Sequence, residues 1–364
     1  MNAKSSDISV LHVITTIERG GAENQLRMLV SEQLKLGIKV RILAIKGKRE
    51  IGFPESYGAV EIFHELSWTN RIRLIGELKQ NPPHIVHSHL PHAEVFGFWG
   101  SWIIPRAKFI ITRHYGSKFA PRMPKLISTV ISRTVVSRAD QVVAISETNA
   151  QYLINSAELK RLPKVISYGI SMHRAMNPLP AHLKTLLDQR KRILCVARLS
   201  PEKNLEFLIR AVGELVTTMP GACLVIVGEG DLRSQLETLV DNLRLKENVF
   251  LLGRLGDLEG FYRHFDVTVQ TSLFEGFGLA ILEAMAEGSP VLVPQGTALH
   301  EVVGRDHSHF SYVPGSTPDF VQKLAALIES DGSYGQIAID QATRFSISKS
   351  ASEYLELYED LIRR

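Results

Sequence analysis

Short apolar runs recur along this chain, each separated from the next by a segment of helix length, and that alternation restricts the fold to α/β architecture built on parallel sheets. In the first half the runs cover residues 9–16, 40–45, 60–63, 84–87, 109–112, 141–145 and 164–167. The series dissolves at residues 172–183, MHRAMNPLPAHL, where Pro178 and Pro180 mark an interdomain linker. It resumes at 192–197, 222–227, 248–253, 266–271 and 289–293. Two domains are expected, and 364 residues give each enough chain for its own core.

Composition narrows the class. No apolar run approaches the roughly 18 residues of a membrane span, and the start, MNAKSSDISVLHVITTIERG, lacks the apolar region and cleavage site of a signal peptide. A cytoplasmic protein is expected. Cys195 and Cys223 lie in apolar strand-like segments and read as buried free thiols. The net charge of +4 is unevenly spread: residues 1–175 carry 24 Lys and Arg against 13 Asp and Glu, and the remainder 18 against 25. Residues 95–139 contain no carboxylate, yet hold Arg106, Lys108, Arg113, Lys118, Arg122, Lys125, Arg133 and Arg138 beside Trp99, Trp102 and Ile103. Such a stretch suits an anionic acceptor or the anionic inner face of the cytoplasmic membrane, or is a solvated cationic surface. It carries no nucleic-acid recognition module.

The chemistry centres on FEGFGLAILEAMAEGSP at 274–290. Glu275 precedes a glycine turn, a helix is expected from Leu279, and Gly288 with Pro290 ends it. The N–H groups at such a helix start favour anions. Eight residues of ideal helix rise about 12 Å, so Glu275 and Glu283 suit hydroxyls at the two ends of a phosphate-bridged ligand, a sugar nucleotide. Arg198 and Lys203, on a loop at a strand's carboxyl end, make a diphosphate clamp in which a planar donor fork is joined by a compact charge. No Asp-x-Asp pair occurs, which fits protein cations in place of a metal.

Other polar groups fall at strand ends. Gly20 and Gly21 form a turn between strand and helix that permits close backbone approach to a ligand, or is a plain turn. His87, His89 and His92 cluster where the fourth strand ends; lacking Cys or Asp ligands nearby, they read as a polar rim rather than a zinc site. His114 follows the next strand, on the edge where open α/β sheets bind ligands.

Together these residues resemble the retaining glycosyltransferases of family four. The matches are GGAE from Gly20, VVAISE from Val142, the Arg198 to Lys203 loop, GEGD from Gly228, and the E-x7-E pair Glu275 and Glu283. The resemblance implies the GT-B fold: two Rossmann-like domains with a donor/acceptor cleft between them, and a C-terminal helix crossing back to the N-terminal domain. The expected boundaries are 1–175 for the acceptor domain, 176–345 for the nucleotide-sugar domain and 346–364 for the helix, where Tyr354, Leu355, Leu357, Tyr358, Leu361 and Ile362 recur at helical spacing.

By the same resemblance Glu275 contacts the donor sugar, Glu283 the ribose, the N–H groups around Phe277, Gly278 and Leu279 the phosphates, and Arg198 and Lys203 the diphosphate. His114 matches the family's histidine near the reacting centre by position, although Tyr115 stands between it and Gly116. Tyr168-Gly169 replaces a common Asn-Gly and is expected to alter only the hinge. The implied activity is metal-independent, retaining transfer of a hexose or N-acetylhexosamine from a UDP- or GDP-sugar to a glycan or lipid-linked acceptor, in bacterial cell-surface polysaccharide or glycan assembly. A sugar-nucleotide epimerase and a non-catalytic sugar-nucleotide-binding subunit remain alternatives.

Overall fold

The computed structural model describes residues 8–17, 20–46, 61–63, 68–114, 124–156, 158–160, 162–172, 177–256 and 258–364. Tyr115, Gly116, Lys118 and Arg122 lie outside the described residues, as does much of the expected linker. The chain forms two units, Met1–Ser171 with Ser346–Arg364, and Met172–Phe345.

The first unit runs β1 (Ser9–Ile14), α1 (Gly21–Lys35), β2 (Lys39–Ala44), β3 (Glu61–Phe63), α2 (Trp68–Gln80), β4 (Ile85–His89), α3 (Pro91–Ile103), β5 (Lys108–Arg113), α4 (Lys125–Val136), β6 (Gln141–Ala144), α5 (Glu147–Asn155) and β7 (Lys164–Val165). Its sheet is parallel, in the order β3-β2-β1-β4-β5-β6-β7. Helices cover both faces, which is why the strands are apolar almost throughout. Side chains alternate between the faces: Val10, Ile14, Ile85 and Ile110 pack with Leu26, Leu29 and Val30 of α1, while Leu11, Val13, Val86, Phe109 and Ile111 pack with Leu74, Ala93 and Val135. Close docking of α3 depends on Gly97, where a Cβ would lie 2.2 Å from Ser88 Oγ and 2.5 Å from the Phe109 ring.

The second unit continues with α6 (Ala181–Leu186), β8 (Lys191–Val196), α7 (Leu205–Thr218), β9 (Ala222–Val227), α8 (Arg233–Asn242), β10 (Val249–Gly253), β11 (Val267–Val269), α9 (Leu279–Ala286), β12 (Val291–Pro294), α10 (Ala298–Val303), β13 (Ser311–Tyr312), α11 (Thr317–Ile328) and α12 (Ser333–Ala342). Its parallel sheet has the order β10-β9-β8-β11-β12-β13. The two-residue β13 has no place in the sequence-expected strand series, because so short an element shows no periodicity. It is recruited by pairing, Val293 with Ser311 and Pro294 with Tyr312.

The last helix, α13 (Ile347–Arg363), belongs to the first unit. Its N-cap Ser346 accepts from the Lys349 N–H at 3.3 Å, and the Ile347 N–H donates to the Ile170 carbonyl at 3.0 Å. Gly169 makes this crossing tight, since a Cβ there would stand 2.5 Å from the Ser346 backbone. Ile347, Ala351, Leu357 and Leu361 then complete the apolar layer over β1, β4 and β5. Among the described residues no helix is long and apolar enough to cross a membrane.

Candidate functional site

In the second unit, three loops at the carboxyl ends of β8, β9 and β11 are bound to one another. Gly228 (φ +148°) and Gly230 let the loop after β9 touch the loop after β8; Cβ atoms there would meet the Ala197 carbonyl oxygen at 1.9 Å and that of Leu199 at 2.3 Å. The Leu199 N–H donates to the Glu229 carbonyl at 3.1 Å, and the Leu232 N–H to the Leu199 carbonyl at 3.1 Å. On the other side, Thr271 Oγ1 donates to the carbonyls of Lys203 (3.0 Å) and Asn204 (3.2 Å), and the Leu273 N–H to that of Glu202 (2.9 Å). This stitching brings Lys203 to Glu275: the ammonium pairs with Glu275 Oε2, and the side chains are only 15% and 19% exposed.

Around Glu275 the polar groups converge. Ser272 Oγ and Gln270 Nε2 approach the same carboxylate oxygen at 3.4 and 3.5 Å. Gln270 is buried, and its Oε1 has no hydrogen-bond partner among the described residues. Arg198, on the same loop as Lys203, is exposed. Burial opposes ionisation of Glu202 between them, yet hydrogen bonds from Ser200 and its own backbone, with the charges of Lys203 and Arg198, hold its carboxyl below the usual range.

Gly278 starts α9 in the left-handed region (φ +102°), and a Cβ there would stand 2.2 Å from Leu299 Cδ2. Among the described residues no side chain caps this end, and helical geometry gives the N–H groups of Leu279 and Ala280 no intrahelical acceptor. Phe277 is buried, edge to face with Phe345 at 5.6 Å. Because the helix begins only at Leu279, Glu275 stands in the preceding turn and the ideal-helix rise does not set its separation from Glu283. Glu283 lies one turn into α9, where the buried Tyr262 hydroxyl donates to its Oε2 at 2.8 Å.

In the first unit, Gly20 caps α1 and Gly21 begins it, at the carboxyl end of β1. The register sets His12 beside His87, and His89 beside Thr112. With His114 just past β5 and Tyr354 and Tyr358 one turn apart on α13, these side chains form a continuous hydrogen-bonded chain. His12 Nε2 meets Gln33 Oε1 and His12 Nδ1 meets His89 Nε2, each at 2.9 Å. His89 Nδ1 meets His114 Nε2 at 2.9 Å, and His114 Nδ1 meets the Tyr168 hydroxyl. Gln33 Nε2 donates to the Tyr358 hydroxyl at 3.2 Å, which contacts His87 Nδ1 at 2.8 Å; His87 Nε2 meets Thr112 Oγ1 at 2.7 Å. Burial pushes every one of these imidazoles down: His12 to about 4, His114 to about 3, and His87 and His89 well below the ordinary value.

This differs from the sequence expectation in three ways. His87 and His89 are not a polar rim but fully interior, because α13 covers that face of the sheet; only His92 is exposed. Tyr168 does more than shape a hinge, since its hydroxyl holds His114. Arg113 is no surface cation: it is fully buried, 2.9 Å from Glu94 Oε2 and 2.6 Å from Glu158 Oε2. His12, Gln33, Tyr262 and Gln270 were not anticipated, and Tyr358 only as part of the helical face of 346–364. The available signal was polar residues at alternate positions inside apolar strands: His12 between Val10 and Ile14, His87 and His89 after Ile85, Thr112 and His114 after Ile110.

A fold of two units, each a parallel sheet with helices on both sides and polar loops gathered at the carboxyl edge, defines the GT-B class. HepE from Anabaena, solved with UDP and glucose, shares it at a TM-score of 0.80 and 20% identity over 96% of this chain and 99% of that one. The model described as Glycosyltransferase Family 4 matches residues 19–174, and that described as Glycosyl transferases group 1 matches 183–344. An uncharacterised glycosyltransferase of Methanocaldococcus jannaschii is 34% identical over 47% of this chain and 45% of its own length, so the chain spans under half of that relative. The N-acetyl-α-D-glucosaminyl L-malate synthase of Bacillus anthracis is 24% identical over 76% of this chain and 74% of its own. The chain belongs to the GT-B glycosyltransferases of family four.

Proposed function

We propose that the protein is a retaining glycosyltransferase that moves a hexose or N-acetylhexosamine from a UDP- or GDP-sugar to a glycan or lipid-linked acceptor without a metal ion, in cell-surface polysaccharide or glycan assembly. The observation that carries this reading is the Lys203–Glu275 pair held just before the start of α9, with Glu283 oriented by Tyr262 one turn into that helix. The donor's diphosphate lies against the N–H groups of Leu279 and Ala280 with Arg198 and Lys203 beside it. There, fixed dipoles and cations stabilise the charge that develops as the sugar–phosphate bond breaks. Glu283, oriented by Tyr262, accepts from the ribose hydroxyls. Glu275 and the unpartnered Gln270 Oε1 accept from sugar hydroxyls, and no covalent role falls to Glu275. His114, with both ring nitrogens engaged by protein groups, supports the sugar's surroundings rather than acting as a nucleophile. Support also comes from HepE, whose crystals hold UDP and glucose.

The acceptor side rests on the first unit. Trp99 and Trp102 are each 63% exposed, and Leu126 and Val130 of α4 are largely exposed; Arg106 and Arg133 are exposed, and Arg138 lies over the Trp102 ring. Aromatic and aliphatic side chains interleaved with cations suit peripheral contact with an anionic membrane presenting a lipid-linked acceptor. The test is release of nucleoside diphosphate from a panel of UDP- and GDP-sugars in the presence of EDTA. Turnover in EDTA, with Lys203→Ala nearly silent and Glu283→Ala weak in donor binding, is expected. A strict cation requirement, or full activity in both variants, overturns the assignment.

A further inference from the structure

The hydrogen-bonded chain in the first unit has a direction. Gln33 Oε1 only accepts, so the proton of His12 sits on Nε2, and a neutral His12 must accept at Nδ1. The same reasoning then passes along the sheet: His89 donates from Nε2 and accepts at Nδ1, and His114 donates from Nε2 to His89. His114 Nδ1 therefore requires a donor, and the group beside it is the Tyr168 hydroxyl. At the other end Gln33 Nε2 donates to the Tyr358 hydroxyl, which shares a hydrogen bond with His87 Nδ1. His87 Nε2 shares one with the Thr112 hydroxyl, which meets that of Tyr354 at 2.9 Å. Along the run from His114 through His89 to His12, each ring is neutral with its proton on Nε2. Reversing one of these links between rings leaves two N–H groups or two lone pairs facing each other in the interior, which is costly.

We propose that Tyr168 is a positioning residue for His114, its hydroxyl donating into a one-way hydrogen-bond chain that runs from His114 through His89 and His12 to Gln33 and fixes the orientation and Nε2–H tautomer of the His114 ring. Burial supports this by keeping the histidines uncharged. A consequence is that His114 reaches a ligand only through its ring edge and backbone while Tyr168 is in place; a lone pair at Nδ1 is released only when Tyr168 is displaced or removed. The chain also fills both nitrogens of His12, His87 and His89, the three histidines whose ligating atoms lie within 4.8 Å of one another. The cluster's geometry is thereby explained by hydrogen bonding.

The test is nitrogen-15 NMR of histidine-labelled full-length protein, with the His114 signal assigned by its loss in His114→Asn. Wild type at pH 7 should show His12, His87, His89 and His114 neutral, with His12, His89 and His114 protonated at Nε2. Tyr168→Phe should shift the His114 Nδ1 resonance to that of an unbonded nitrogen, leaving the protonation of the other three unchanged. In the kinetic arm, which rests on the proposed glycosyl transfer, Tyr168→Phe should lower kcat about tenfold, the size of one lost hydrogen bond, with the donor KM within about twofold. A wild-type His114 protonated at Nδ1, or an Nδ1 signal unmoved by Tyr168→Phe, overturns the proposal. So does stoichiometric binding of cobalt(II) that is lost in His87→Asn, because a metal would take the lone pairs the chain uses. The spectroscopic arms need no turnover, so failure of the glycosyl-transfer reading and failure of this one are told apart.

Discussion

Lys203 and Glu275 form an ion pair across two loops at the carboxyl edge of the second sheet, each largely withdrawn from solvent. A cation assigned to the diphosphate and a carboxylate assigned to the sugar thus hold each other before a donor arrives. The pair neutralises two charges that would otherwise be costly at low exposure, and it presets both side chains. On the proposed reading, a bound diphosphate would give Lys203 a stronger partner and leave Glu275 to accept from hydroxyls.

This shared history makes the two residues energetically inseparable. Lys203→Ala and Glu275→Ala should each lower kcat/KM by about a hundredfold or more, the range for loss of one charge-stabilising group. The double variant should lose far less than the product of the two, because the second substitution removes a partner already stranded. A double-mutant cycle in kcat/KM measures this directly, and strict additivity would show that the pair acts as two independent groups.

Glu283 carries a different expectation. Its Oε2 accepts from the Tyr262 hydroxyl, so the carboxylate is already oriented for the proposed ribose contact. Glu283→Gln should weaken binding of the free nucleoside diphosphate by about 1.5–3 kcal/mol, the worth of hydrogen bonds to a charged acceptor, and Tyr262→Phe by less. Calorimetry with UDP and GDP reads both. Gln270→Leu should leave nucleotide affinity unchanged and raise KM for the intact sugar nucleotide, separating a sugar contact from a nucleotide contact.

Much of the fold was legible because its signals are local. Apolar runs, Gly278, Gly288 and Pro290 each act within a few residues, and so the strands, the start of α9 and its end follow from spacing. The cationic loop and Glu275 were legible as residues but not as a pair, because Lys203 meets Glu275 only through the Thr271 and Leu273 bonds between loops distant in sequence. The histidine chain was hidden for the same reason. His12, His89, Gln33 and Tyr358 come from four elements, and only the sheet register and the docking of α13 bring them together. Arg113 shows the converse error: counted as one of a run of cations, it is interior because alternation along β5 places it with Phe109 and Ile111 on the face packed against α3 and α4, where it meets Glu94 and Glu158.

Acid should unfold the first unit early. The folded-state values of His12, His87 and His89 lie below the unfolded value of 6.5, so the unfolded chain binds more protons at pH values between them. The stability in question is complete above pH 6.5 and falls as pH drops from there toward about 4, where His12 itself titrates. Each such histidine steepens the loss by about 1.4 kcal/mol per pH unit. Thermal unfolding between pH 7.5 and 5 should show the midpoint falling, with a shallower slope in His12→Gln. A midpoint flat over this range would mean that the histidines are already charged in the native state.

The buried cluster of Arg113, Glu94, Glu158 and Ser132 predicts a stability effect without a charge effect at the surface. Arg113 Nη2 lies 3.0 Å from Ser132 Oγ, and Ser132 Oγ also donates to Glu158 Oε2 at 2.9 Å. Removing the cation strands two interior carboxylates, so Arg113→Leu should cost about 3–5 kcal/mol, the loss expected when one partner of a buried ion pair is deleted. On anionic vesicles at low salt, what remains folded should still bind. Arg138→Ala should behave in the opposite way. Its guanidinium lies 4.5 Å above the exposed Trp102 ring, so the substitution should leave the unfolding midpoint nearly unchanged and weaken vesicle binding, as should Trp102→Ala. Flotation with and without salt separates these outcomes: wild-type protein that fails to float with anionic vesicles at low salt removes the membrane-facing role, and Arg113→Leu as stable as wild type removes the buried one.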